Sequence, residues 1–372
     1  MLSLVFHSLS VPDCKIKETD SISNFGGAVH PGYFLPDDAI ENGNTFHFAA
    51  VTDLEKMSAI SMMDGHPSGR FKSILLPGTI TRGSDNKYSV RFGNTRELVS
   101  RLNEGGRGME LSELVLFQNR LLSFDDRTGS VFEVLNQDNG NDSFVVSRYV
   151  ITEGDGDTDK GMKVEWASEK DGELYIGSIG KEYTDMTGNV VSSNMLWVSI
   201  INAEGQLRRE DWTDRYHFVQ KELGATAPGY VLHEAISWSA HLNKWVFMPR
   251  RISSEMYDEV KNEKKGAAKI VLVNEAFTSS EVIDIKFTDN DPLRGFSTLA
   301  FVPGSKDRHV LAIRTVEEDC AFGDESLCKQ RSYFLVVDVT TGDVLTEEIL
   351  SPFEPLKFEG VEFVNMGSPE RH

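Results

Sequence analysis

The sequence predicts an all-β fold, a five-bladed β-propeller, from three observations. Long helical periodicity is almost absent, and 31 glycines in 372 residues suit many tight turns. A short apolar strand, a polar turn and a second short apolar strand recur along the chain. Beneath them lies a repeat whose opening residues, Ser112, Glu165, Glu234, Ser297 and Glu359, are spaced by 53, 69, 63 and 62 residues. A period near 60 with four strands per unit is longer than the common propeller repeats, but it fits that architecture.

The elements follow in order. Residues 114–117, 121–124 and 130–134, separated by Gln118-Asn119-Arg120 and by Asp125-Asp126-Arg127-Thr128-Gly129, read as a meander. Residues 166–175, 238–247 and 299–313 repeat that scheme. The fifth opening residue lies in a strand at 358–364 with no meander after it. That strand must complete its blade with an N-terminal strand such as 46–51, which closes the ring and removes an exposed edge. Residues 97–102 predict a short helix. The charge run 258–265 predicts a solvated loop or short surface helix. Residues 208–228 read as a long insertion between strands. The expected organisation is one propeller domain over 46–364, an N-terminal extension over 1–45 packing on it, and a tail over 365–372.

Composition excludes several classes. Asp and Glu outnumber Lys and Arg by 58 to 38, and no basic cluster is large enough for a nucleic-acid face. No apolar run approaches the ~18 residues of a membrane span. The N-terminus lacks a positive n-region and a convincing h-region, so no export signal is evident. Cys320 and Cys328 are eight apart, which fits either a loop-closing disulfide or two separate loop thiols. Asn141-Asp142-Ser143 is a single glycosylation sequon. Oligomeric state is not readable, and a homodimer stays open.

In a propeller the first strand of each blade lines the channel. The five opening residues would then bring three carboxylates and two serines together. Three carboxylates repel one another unless a cation neutralises them. Taken singly, each acid reads as a strand-edge residue facing solvent; matching positions in a repeat argue against that. An all-oxygen ligand set of this number suits Ca2+ better than Zn2+, and somewhat better than Mg2+. Residues 155–166 imitate the start of an EF-hand loop, but Lys160 stands at position 6 and Trp166 at position 12, so the register is wrong.

A second cluster is Asp125-Asp126-Arg127-Thr128-Gly129. These are turn-forming residues. They also place a guanidinium, which can grip a phosphate bidentately, beside two acids. One acid can orient the arginine, and the other can position or deprotonate a water. Arg250 in Pro249-Arg250-Arg251, Lys163 two residues before Glu165, and Lys181 are further phosphate-binding candidates; as lone bases each also fits a solvated surface. Asp53 ends an N-terminal strand and is a further channel acid. Trp166, Tyr183 and Tyr257 are candidates for stacking on a base.

Gly106-Arg107-Gly108-Met109-Glu110-Leu111-Ser112-Glu113-Leu114, followed by the Asp125–Gly129 turn, resembles the soluble calcium-activated nucleotidase (apyrase) family. So do Lys160-Gly161-Met162-Lys163-Val164-Glu165-Trp166, Gly180-Lys181-Glu182, Pro228-Gly229-Tyr230-Val231-Leu232-His233-Glu234, Arg294-Gly295-Phe296-Ser297 and Phe358-Glu359-Gly360-Val361. The ordered motifs cover about 46–364. The resemblance implies a five-bladed propeller with one channel Ca2+ held by Ser112, Glu165, Glu234, Ser297 and Glu359. It implies hydrolysis of nucleoside di- and triphosphates, with UDP and GDP preferred and inorganic phosphate released, outside the cell or in the ER/Golgi lumen. It places catalytic roles on Asp53, Asp125 and Asp126, and phosphate binding on Arg127 and Arg250. Glu113 departs from the family's usual Asp after the first serine ligand. The loop 319–331 reads as an insertion of this chain's own. The rival reading is a propeller binding module whose calcium is purely structural; a calcium-dependent lactonase is a third, disfavoured by the arginines around the Asp125–Gly129 turn.

Overall fold

Two-residue turns set the strand pairing. Gln118-Asn119 and Asp171-Gly172 both have two consecutive positive φ angles, the twist that joins antiparallel strands most tightly. They link Leu111–Phe117 to Arg120–Asp125 and Trp166–Lys170 to Glu173–Gly177. The computed structural model describes residues 44–63, 66–136, 142–185, 187–320, 328–346 and 348–364. All but the last two residues of the expected extension over 1–45, the sequon residue Asn141 and the tail 365–372 lie outside the described residues.

Among the described residues five antiparallel sheets form the blades of a propeller, and two two-stranded ladders, Tyr183–Thr184 with Val190–Ser192 and Tyr230–Leu232 with Arg251–Ser253, lie outside them. Blade 1 runs Leu111–Phe117, Arg120–Asp125, Ser130–Asn136 and Ser143–Val150. Blade 2 runs Trp166–Lys170, Glu173–Gly177, Trp197–Ile201 and Leu207–Asp211. Blade 3 runs Ala235–Ser239, Lys244–Met248, Lys269–Asn274 and Ser280–Asp284. Blade 4 runs Gly295–Phe301, His309–Glu318, Lys329–Asp338 and Ile349–Leu350. Blade 5 joins the first and last of the described strands: Lys357–Phe363 pairs with Thr45–Asp53, which pairs with His66–Arg82.

Period-two alternation explains how each blade is buried on both faces. Phe46, Phe48 and Ala50 face blade 4, while Ala49 and Val51 face blade 1. Five apolar clusters result, one between each pair of neighbouring blades. The cluster between blades 2 and 3 packs Trp166, Trp212 and Trp245 with ring centroids 5.3–6.2 Å apart. Gly360 allows the inner strands of blades 5 and 1 to meet, since a Cβ there would lie 2.5 Å from the backbone of Glu113.

Two local expectations are corrected. Residues 97–102 do not form a helix: Arg96–Ser100 is a strand paired with His66–Arg82, and its Leu98 is buried between blades 5 and 1. Packing of one apolar residue against a sheet overrides a weak helical preference. The span 208–228 is not all insertion, because Leu207–Asp211 is the outer strand of blade 2; the helix Thr213–Glu222 follows, burying Tyr216 and Val219. The charge run 258–265 does contain a short helix, Glu259–Asn262, capped by Asp258. Cys320 and Cys328 are disulfide-bonded. No helix among the described residues is long and apolar enough to cross a membrane.

Candidate functional site

The five repeat-opening residues sit at the start of the inner strands. Ser112, Ser297 and Glu359 lie near the beginnings of theirs, and Glu165 and Glu234 immediately precede Trp166 and Ala235. Glu165, Glu234 and Glu359 reach the floor of a cleft of about 390 Å³ at one end of the channel. Asp53, Asp126, Arg127, Lys163 and Arg250 also line it. Its lining carries eight carboxylates (Asp53, Glu55, Glu110, Asp126, Glu165, Glu234, Glu317, Glu359) and six cationic side chains (Arg107, Arg127, Lys160, Lys163, Arg250, Lys357). The site is therefore mixed in sign, with two carboxylates in excess.

Three cations are threaded between the acids. Arg250 is buried; its Nη1 donates to Glu234, to Ser297 Oγ at 3.0 Å and to Glu359 at 3.3 Å, and its Nη2 donates to Glu317 at 2.6 Å. Lys357 Nζ lies 2.7 Å from Asp53, 2.8 Å from Glu317 and 3.3 Å from Glu359. Lys163 Nζ lies 2.6 Å from Asp126 Oδ2 and pairs also with Glu165. The turn carrying Asp126 comes this close because Gly161 packs on it; a Cβ on Gly161 would lie 2.4 Å from the Thr128 carbonyl.

Burial and mutual repulsion control protonation here. Burial, with Glu234 and Asp126 adding to it, pushes Glu165 up to about 8 against the pull of Lys163. Burial pushes Glu110 up to about 7, although the Arg107 guanidinium grips it at 2.8 and 2.5 Å. Glu359 is raised by burial and by Glu234 and Asp53, despite Lys357. Glu317 goes the other way: burial alone would raise it, but Lys357 and Arg250 hold it well below the usual carboxylate range. Acids that resist ionisation at the channel floor mark a place where positive charge is wanted.

Two groups stand out as unsatisfied. Asp126 Oδ1 is buried without a hydrogen-bond partner, and its carboxylate lies within 4.8 Å of ligand oxygens of Asp53 and Glu110. Arg127, beside it, has no ion pair among the described residues, and its Nε is unpartnered. Asp53 by contrast is engaged at both oxygens, by Lys357 at 2.7 Å and by the backbone N–H of Glu55 at 2.7 Å.

Other sequence-derived candidates fall elsewhere. Asp125 does not line the cleft: it is fully buried and accepts from the backbone N–H groups of Met109, Arg127 and Thr128, shaping the turn instead. Ser112 Oγ donates to the Val164 carbonyl at 2.6 Å, tying blade 1 to blade 2. Glu113 is buried and accepts from Thr298 Oγ1 of blade 4 at 2.8 Å. Lys181 lies in an adjoining pocket of about 190 Å³, with its Nζ 4.8 Å from the centre of the Tyr257 ring. Tyr257 walls both that pocket and the cleft. Trp166 is not available for stacking, because it is wholly buried with its indole N–H on Ser178 O and Tyr216 Oη. Tyr183 is exposed and lines neither space.

Sequence reasoning missed Arg107, Glu110, Glu317 and Lys357. A signal for two of them was present. Glu110, Lys163 and Lys357 each stand two residues before a repeat-opening residue, hence on the same strand face one layer along the channel. Glu317 is the penultimate residue of the second strand of blade 4 and has no such register.

A family model described as Apyrase matches residues 61–364. The chain is 39% identical over 322 residues to an apyrase of Cimex lectularius, covering 86% of this chain and 82% of that protein. It is 33% identical over 326 residues to apyrase apy-1 of Caenorhabditis elegans, covering 87% and 85%. It is 31% identical over 332 residues to soluble calcium-activated nucleotidase 1 of Rattus norvegicus, covering 88% and 76%.

Proposed function

We propose, from the premise that this chain belongs to the apyrase family and is a nucleotide-hydrolysing enzyme, that it cleaves the terminal phosphoanhydride of nucleoside di- and triphosphates with Ca2+ as its cofactor. The observation that carries the reading is the adjacency of Arg127, a cleft guanidinium without an ion pair among the described residues, to Asp126, whose buried Oδ1 lacks a partner. An open guanidinium takes a phosphate in bidentate fashion. A carboxylate oxygen in need of a donor accepts a water.

Glu165, Glu234, Ser297 and Glu359 would hold the Ca2+, with Ser112 at the rim of that set through its strand. The donor chemistry fits: the oxygens are hard, and two excess carboxylates match one divalent charge. The cation supplies charge neutralisation for phosphate oxygens when bound. Arg127 orients the terminal phosphate, and Lys163 fixes Asp126 through its other oxygen. Asp126 takes a proton from water as that water attacks the terminal phosphorus. The bond to the bridging oxygen breaks, the shortened nucleotide leaves with the electron pair, and inorganic phosphate is released. Asp53, engaged at both oxygens, orients Lys357 rather than the water.

UDP and GDP are the proposed preferred substrates, with the base against Tyr257 beside Lys181. Work outside the cell or in a secretory lumen belongs to the same proposal, and the Cys320–Cys328 disulfide supports it. The test is phosphate release from UDP, GDP and ADP with Ca2+, with Mg2+ alone, and with chelator. Turnover restored by Ca2+ and not by Mg2+ is expected; silence from folded protein in every condition would remove the proposal.

A further inference from the structure

We infer that Arg250 is an internal competitor for the channel cation, so that the affinity for Ca2+ is set partly by this one side chain. The inference rests on the cation reading above. Arg250 Nη1 is bonded to Glu234, Ser297 and Glu359, three of the five residues assigned to the ion. A guanidinium nitrogen and a divalent cation draw on the same lone pairs of the same oxygens. Both cannot hold all three at once.

The opposite end of the guanidinium shows how the exchange can occur without unfolding the site. Nη2 is tethered to Glu317 at 2.6 Å, and Glu317 is itself braced by Lys357 at 2.8 Å. Glu317 carries no assigned role toward the ion. It can keep Arg250 at the channel while Nη1 yields its three oxygens. The freed nitrogen then faces the cleft that Arg127 and Lys163 also line. Occupancy of the cation site and availability of a second phosphate-binding arginine are thereby linked, and linkage between two ligands is reciprocal.

The test is direct binding of Ca2+ alone, by titration calorimetry on the full chain without nucleotide. Arg250→Met removes the competitor and keeps most of its volume. It should bind Ca2+ about tenfold more tightly, an ordinary size for coupling between two ligands. Arg250→Lys, whose single ammonium cannot span Glu317 and the three oxygens together, should fall between Met and wild type, and it serves if the Met variant does not fold. Melting temperature gives a second readout: chelated Arg250→Met should melt lower than wild type, and Ca2+ should raise its midpoint by more. Equal or weaker Ca2+ binding by both variants, with wild type binding normally, overturns the competition while leaving the cation reading in place. Absence of Ca2+ binding by wild type removes both.

Discussion

Glu133 in blade 1 and Glu234 at the channel are both buried carboxylates held by arginine, yet the company they keep differs. Glu133 is clasped by Arg120 at 2.7 Å and Arg148 at 2.5 Å, so two cations face one acid. Glu348, just before the outer strand of blade 4, is likewise gripped by Arg294 and Arg314, with Asp291 3.6 Å from Arg294 bringing that cluster to balance. At the channel the proportion is reversed, with eight carboxylates to six cations around one cleft. The blade clusters surround each acid with at least as many cations as carboxylates. The channel cluster has acid left over, and acid left over is what a cation or a proton can answer. A buried ion pair is thus not by itself a mark of function; the sign of its surplus is.

The comparison breaks first at Asp126. Asp126→Asn should lower kcat by roughly 10²–10⁴ with little change in melting temperature, as loss of a general base does. Steady-state phosphate release checks it, and near-normal turnover would move the base elsewhere. Glu133→Ala should do the reverse. Removing the buried acid that Arg120 and Arg148 share costs on the order of 3–5 kcal/mol in denaturant unfolding, while kcat per folded molecule and Ca2+ dependence hold.

A third test concerns Glu362, a half-buried acid clear of the cleft. Burial pushes it up to about 7, above the roughly 4.3 of an unfolded chain. Its folded form therefore holds the proton more tightly. Its contribution to stability is complete below the unfolded value and drains away as pH rises towards 7. Glu362→Gln should flatten that decline and add about 1–2 kcal/mol at pH 8, allowing for one backbone N–H that loses its acceptor. Urea melts at pH 5 and pH 8 measure it. The smallest expected effect is at Tyr257: Tyr257→Leu should raise KM by about fivefold, near 1 kcal/mol, with kcat intact, through loss of aromatic stacking area.

Much of the ring was legible because its signals are local and repeated. Short apolar runs, turn residues and a spacing near 60 located the inner strands and the closing partner of Lys357–Phe363. The helix expected at 97–102 failed because Leu98 is committed to an inter-blade core that only the assembled ring creates. In the cleft, residues in register with the repeat could be named in advance. Asp125 could not be told from Asp126, since adjacent residues of a turn point in different directions and only packing decides which one faces inward. Glu317 was hidden for a related reason: its neighbours Arg250 and Lys357 stand 67 and 40 residues away in sequence.

The closure of blade 5 bears on how this protein comes to exist. Thr45–Asp53 can pair early with His66–Arg82, but its other edge must wait for Lys357–Phe363, and those two segments lie some three hundred residues apart along the chain. Asp53 and Lys357, which meet at 2.7 Å in the cleft, come from those two segments. During synthesis the first four blades can form in order of emergence, but the cleft cannot be completed until the last strand leaves the ribosome. Contacts of such long range are slow to close. A chain terminated before Lys357 would keep folded blades and lack the finished cleft, so activity reports on the integrity of the stretch from Thr45 to Phe363.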